Sequence, residues 1–162
     1  MGSGKSTIGR ILAESLDLKF VDLDYEIEER CGANISWIFD KEGEDGFRKR
    51  ESRMLVELAS ETGMVLATGG GAVLFEENRN TLKNNGYVVY LRAPVGQLLE
   101  RTSHDRSRPL LNVGNPREVL EQLVLDRELL YQEIADLVFV TSKRKPWLIA
   151  NEIANEVRQF VG

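Results

Sequence analysis

Gly4, Lys5, Ser6 and Thr7 fill the last places of the pattern G-x-x-x-x-G-K-[ST], a spacing that binds phosphate. In that pattern backbone N–H groups wrap the phosphates, the lysine reaches the β- and γ-phosphates, and the hydroxyl that follows binds Mg²⁺. Gly2 and Ser3 belong to the same wrap, so residues 1–7 are read as a nucleotide-binding loop. Helical periodicity begins at once with Ile8 and runs through Glu14, which supplies the helix N-terminus that an anion site requires. Counting back from Gly4, the opening glycine falls just before Met1, so the leading glycine and the strand expected ahead of it are absent from this sequence.

Three further groups have the residue types for phosphoryl transfer. Asp22 and Asp24 sit at the end of an apolar run, where a spacing of two is expected to put both carboxylates on one strand face, looking into a ligand crevice. One acid then serves Mg²⁺ and the other the phosphate acceptor; read alone, Asp22 is a turn residue and Asp24 a helix cap. Gly69, Gly70 and Gly71 follow another apolar run, where missing side chains let the backbone approach a ligand and offer unshielded N–H groups. Arginines complete the set. Arg48 follows Phe47 and has Glu51 at i+3, a partner that can hold its guanidinium in place. Arg108 precedes Pro109 in a polar stretch, and Arg127 stands on a long helical run. Paired arginines suit an acidic metabolite, because the planar fork grips a carboxylate in a way lysine does not.

The elements that must position these groups alternate. Short β-rich runs at 19–23, 64–68, 87–91 and 137–141 predict buried parallel strands, and helices are expected at 5–16, 24–30, 46–60, 76–84, 95–102, 116–131 and 146–161. That alternation is the pattern of an α/β layer fold, here one domain over 1–162. Residues 103–115, arginine-rich and punctuated by Pro109 and Gly114, read as a lid.

Composition narrows the partners. A formal net charge of -5 argues against nonspecific nucleic-acid binding and leaves small molecules. The single cysteine, Cys31, cannot form an internal disulfide, so a reducing cytoplasm is expected. No apolar run is long enough to span a bilayer, and no signal peptide is expected.

Gly4-Lys5-Ser6-Thr7, Asp22-x-Asp24, Gly46-Phe47-Arg48, Gly69-Gly70-Gly71 and Arg108-Pro109-Leu110-Leu111 follow one another in an order and spacing that resemble the shikimate kinases, over nearly the whole chain. The resemblance implies a three-layer P-loop kinase fold of the nucleoside-monophosphate-kinase type, with a central parallel sheet flanked by helices and its central first strand missing from this sequence. It implies transfer of the ATP γ-phosphate to the 3-hydroxyl of shikimate, a step of aromatic amino-acid biosynthesis, by a monomer. Residue by residue, Lys5 and Ser6 would hold phosphates and Mg²⁺, with Asp22 supporting the metal. Asp24 would bind the acceptor hydroxyl as base. Arg48, Arg127 and Gly69 to Gly71 would grip shikimate, Arg108 would close from the lid, and Arg101 and Arg144 would flank the adenine; residues 24–61 would be the substrate-binding helical region. The sequence departs from the family pattern at Leu129, where proline is usual, and at 140–144, where the adenine loop usually carries an acidic residue. A related gluconate kinase would not be expected to share these motifs together. A non-catalytic module binding a nucleotide or a partner is the alternative of another class. Asp40-Lys41-Glu42-Gly43 matches the GTPase pattern D-x-x-G formally, but no N-K-x-D follows it to read guanine.

Overall fold

Apolar residues at Ile8, Leu12 and Ala13 put one face of the first helix, α1 (Lys5–Leu16), in the core. The chain then alternates as the periodicity predicts: β1 (Lys19–Asp22), α2 (Leu23–Cys31), α3 (Ile35–Ala59), β2 (Met64–Ala67), a short 3₁₀ turn (Ala72–Leu74), α4 (Glu76–Asn85), β3 (Val89–Arg92), α5 (Val95–Thr102), α6 (Pro116–Ile134), β4 (Leu137–Val140) and α7 (Pro146–Val161). The structure, a computed structural model, describes residues 3–102 and 115–161. Gly2, Arg108 and most of the expected lid at 103–115 lie outside them.

The largest differences from the expected boundaries are in α3 and α6. α3 begins at Ile35, eleven residues before the predicted 46, because the Asn34 side chain caps it by accepting the Trp37 N–H. Inside it Gly43, at φ 69° and ψ -179°, bends the helix, so the formal D-x-x-G is a kink. α6 runs three residues past Tyr131 and buries Leu120 and Ile134.

The strands are parallel, and among the described residues they form two two-stranded sheets. In one, Lys19 to Asp22 of β1 stand in register with Met64 to Ala67 of β2; in the other, Val89 to Arg92 of β3 match Leu137 to Val140 of β4. A cavity of about 500 Å³ lies between β2 and β3, lined by Val65, Leu66, Val89 and Leu91 and by Ile8 and Leu12 of α1. The two halves have separate packing partners. Leu23, Ile27, Ile38 and Leu55 cluster on the β1 side, whereas Ile8 and Leu12 pack with Ile149 and Ile153 of α7 against the other. The first half carries the acid-rich end of β1 and the glycine loop after β2. Among the described residues no helix is long and apolar enough to cross a membrane.

Candidate active site

Two adjoining regions hold the residues singled out by type and spacing. The first surrounds the start of α1, where Gly4 adopts the left-handed region at φ 89°, open to glycine at little cost, and turns the chain into the helix. Its carbonyl accepts the Ile8 N–H at 2.9 Å. The first turn of α1 carries Lys5, Ser6 and Thr7, so amide donors and a positive dipole end converge on one spot. A cleft of about 400 Å³ opens there, lined by Gly4, Lys5, Ser6 and Thr7 together with Arg101 and Arg144. Arg101 approaches Gly4 so closely that a Cβ there would lie 3.5 Å from its Nη1. Arg144 is exposed and pairs with Glu152 of α7, which holds its guanidinium above the usual range. The 140–144 loop itself lacks an acidic residue, and the carboxylate beside Arg144 comes from the following helix. Two residues that no sequence signal marked hold that loop: the Arg92 carbonyl accepts the Thr141 N–H at 2.9 Å, and Gln97 Nε2 donates to the Ser142 carbonyl at 2.6 Å.

Asp22 joins this region to the second. Its Oδ2 accepts the Ser6 hydroxyl at 2.9 Å, and its Oδ1 accepts the N–H groups of Asp24 and Tyr25 at 3.0 and 3.3 Å. Asp22 is therefore both the cap of α2 and the carboxylate beside the phosphate loop. The expectation that Asp22 and Asp24 share a strand face is corrected here, as is the reading of Asp24 as the cap. β1 ends at Asp22, and Asp24 lies in the first turn of α2, a helical step that turns it toward the glycine loop. No group of three or more Asp, Glu, His or Cys that could hold a metal exists among the described residues. Ser6 and Asp22 give one hydroxyl and one carboxylate side by side, a sparse hard-oxygen pair of the kind Mg²⁺ uses when phosphates and water complete its shell.

The second region is a buried pocket of opposed charges. Arg48 is 6% exposed and its Nη1 donates to Oε2 of Glu51, which is fully buried, at 2.8 Å; Glu44 accepts more loosely from the other side at 3.3 Å. The i,i+3 pairing legible in the sequence is thus made, and α3 delivers both partners on one face. Burial pushes the Glu51 carboxyl up, the Arg48 charge pulls it back, and Asp24 raises it again. Oε1 of Glu51 is buried with no hydrogen-bond partner among the described residues. The glycine loop closes this pocket because nothing larger fits. A Cβ on Gly69 would sit 3.1 Å from Asp24 Oδ1 and 3.2 Å from Glu51 Oε1, and one on Gly71 would overlap the Arg48 guanidinium at 2.2 Å.

Arg127, 6% exposed on α6, faces Tyr131 and acts on Glu51 through its charge. The loop is pinned by residues outside the motifs: Asn78 Nδ2 donates to the Ala72 carbonyl at 2.9 Å, Arg79 Nη1 to the Val73 carbonyl at 2.8 Å, and the Tyr131 hydroxyl to the Gly70 carbonyl at 2.7 Å. Leu129 is 76% exposed, so the departure from proline there disturbs no packing.

The arrangement sets a helix N-terminus suited to phosphate next to a buried pocket of opposed charges, and comparison with known proteins gives the family. The family model for shikimate kinase matches residues 1–161. The chain belongs to the shikimate kinase family. It is 56% identical over 160 residues to the shikimate kinase of Chromohalobacter salexigens, covering 99% of this chain and 89% of that one. It is 55% identical to that of Pseudomonas aeruginosa, covering 99% and 93%. Among solved structures, shikimate kinase from Acinetobacter baumannii in complex with shikimate superposes with a TM-score of 0.96 at 48% identity, covering 98% of this chain and 89% of that one. The enzyme from Aquifex aeolicus gives a TM-score of 0.82 at 34% identity, covering 99% and 93%. As a member of this family the chain is an ATP-dependent kinase with an α/β P-loop kinase fold.

Proposed function

We propose that this chain transfers the γ-phosphate of ATP to the 3-hydroxyl of shikimate, releasing ADP and shikimate 3-phosphate. The observation that carries the reading is the joining of two sites through Asp22 and Asp24: the Ser6–Asp22 pair at the phosphate loop and the buried Arg48–Glu51 pocket behind Gly69 to Gly71. Phosphoryl transfer asks a protein mainly for positioning and charge stabilisation, and each side of this junction supplies one partner.

On the nucleotide side, Gly2 to Thr7 wrap the phosphates, with Lys5 reaching the outer ones, and Arg101 and Arg144 flank the base. Ser6 and Asp22 hold Mg²⁺, which when bound neutralises phosphate charge. On the acceptor side, Arg48 and Arg127 grip the shikimate carboxylate, and the backbone of Gly69 to Gly71 donates to the same molecule. Asp24 accepts the proton of the attacking hydroxyl. Arg108, beyond the described residues, closes on the transferring group. The lone Cys31 suits the reducing cytoplasm, where the chain is read as working as a monomer.

The test is a coupled assay for ADP. Release is expected only with shikimate and Mg²⁺ present together; ADP formed equally with gluconate, or no dependence on an acceptor at all, overturns the assignment.

A further inference from the structure

The carbonyls of the glycine loop are all turned into the fold. Gly69 accepts from the Ala72 N–H at 3.2 Å and Gly71 from the Leu74 N–H at 3.1 Å, Ala72 is taken by Asn78, and Gly70 by the Tyr131 hydroxyl. The first two are turn bonds between near neighbours. The bond to Gly70 comes from 61 residues away and is made by a single side chain of α6. Among the described residues the N–H groups of Gly70 and Gly71 donate to no acceptor.

A peptide unit is a rigid plane, and in a trans peptide the C=O of one residue and the N–H of the next point in opposite directions. Among the described residues no peptide bond is cis. Whatever holds the Gly70 carbonyl therefore sets the direction of the Gly71 N–H. Gly70 and Gly71 both lack a Cβ, so little in the chain itself resists a flip of the plane between them. We infer that Tyr131 is a positioning residue for the acceptor: its hydroxyl locks the Gly70–Gly71 peptide so that the Gly71 N–H stays available to the anionic substrate.

The tyrosine is built for this task. Its ring stacks on Tyr90 of β3, with centroids 4.7 Å apart and planes 27° from parallel, and the Tyr90 hydroxyl in turn donates to Glu128 at 2.8 Å. The stack leaves the Tyr131 hydroxyl little freedom. A phenol has one donor, and here it is spent on Gly70, so the oxygen's lone pairs remain for the guanidinium of Arg127 that faces it. Burial pushes the Tyr131 hydroxyl above its ordinary pKa, which keeps the donor proton in place at working pH.

The inference rests on the proposed acceptor pocket, and the experiment separates the two. Tyr131→Phe keeps the stack and removes only the hydroxyl. Expected are a rise of about tenfold in KM for shikimate, the cost of one hydrogen bond to a charged ligand, and a KM for ATP that stays within about twofold. Hydrogen exchange at Ala72, whose N–H is bonded to the Gly69 carbonyl, should quicken in the free protein while exchange in α6 is unchanged. Should the parent chain fail to turn over shikimate, the functional reading falls alone, and the exchange measurement still decides on Tyr131. An unchanged loop exchange, or an unchanged KM for shikimate in an active chain, overturns the inference.

Discussion

The proposed acceptor pocket and the proposed nucleotide cleft are built on opposite principles. In the pocket, Arg48, Glu51 and Arg127 are almost wholly buried, their charges opposed, and the loop beside them is tied down by Asn78, Arg79 and Tyr131. In the cleft Arg101 and Arg144 are exposed and Lys5 is half-buried, and Arg144 is held by an exposed partner on α7. A small acid offers few contacts, so its site must carry the ordering cost in advance, through buried pairs that cannot rearrange. A triphosphate brings its own charge and makes many backbone contacts, so its site can be open and still grip. Strength and rigidity therefore belong to one side and accessibility to the other.

The sharpest way to break that contrast is to remove the buried carboxylate. Glu51→Ala leaves Arg48 buried with only the looser Glu44, and loss of one member of a buried pair costs about 3–5 kcal/mol of unfolding free energy. Chemical denaturation should read that loss, together with a weakened KM for shikimate; a change under about 1 kcal/mol would mean that the pair is not buried in solution. The same group carries a pH signature. Its pKa is raised in the fold, so its contribution is fully present below the unfolded carboxylate value of about 4.3 and is lost as pH rises through the folded one. Glu51→Gln should flatten that fall in melting temperature.

Next in size is the chemistry. Asp24→Asn should lower kcat by about 10²-fold or more with ATP affinity kept, whereas Asp22→Asn should mainly weaken Mg²⁺-dependent turnover. An unchanged kcat in Asp24→Asn removes it as the base. Smaller again is Arg127→Lys, which keeps charge and loses the fork: KM for shikimate should rise by about tenfold and that for ATP should hold. Equal movement of both would show Arg127 acting on the fold. The smallest effect is expected at the exposed end. Arg144→Ala should raise KM for ATP by about threefold, since exposed pairs are worth under about 1 kcal/mol; a larger loss than that of Arg127→Lys would reverse the contrast between the regions.

Local signals carried far into this site. The Arg48–Glu51 pair was legible because three residues along a helix share a face, and Gly4 to Ser6 because a turn followed by a helix start is a short-range motif. Asp22 and Asp24 were legible as a pair of acids but not in their placement, because the chain passes from strand to helix between them. The supports were not legible at all. Tyr131 lies 61 residues from Gly70, and Asn78 and Gln97 stand in ordinary helical runs with nothing in their types to mark them.

The sequence by itself determined the alternation of strand and helix, the glycine-lysine-serine turn into a helix start, and the residue types of the groups proposed to meet substrate, since each depends on residue type and on spacings of a few positions. Tertiary structure alone decided that Ser6 meets Asp22 and that Glu51 is sealed behind Gly69. It also decided that the glycine loop hangs from a tyrosine of α6. Those outcomes depend on how α2, α3 and α6 pack around the sheet ends, and packing is set by the sum of many buried contacts that no local pattern encodes.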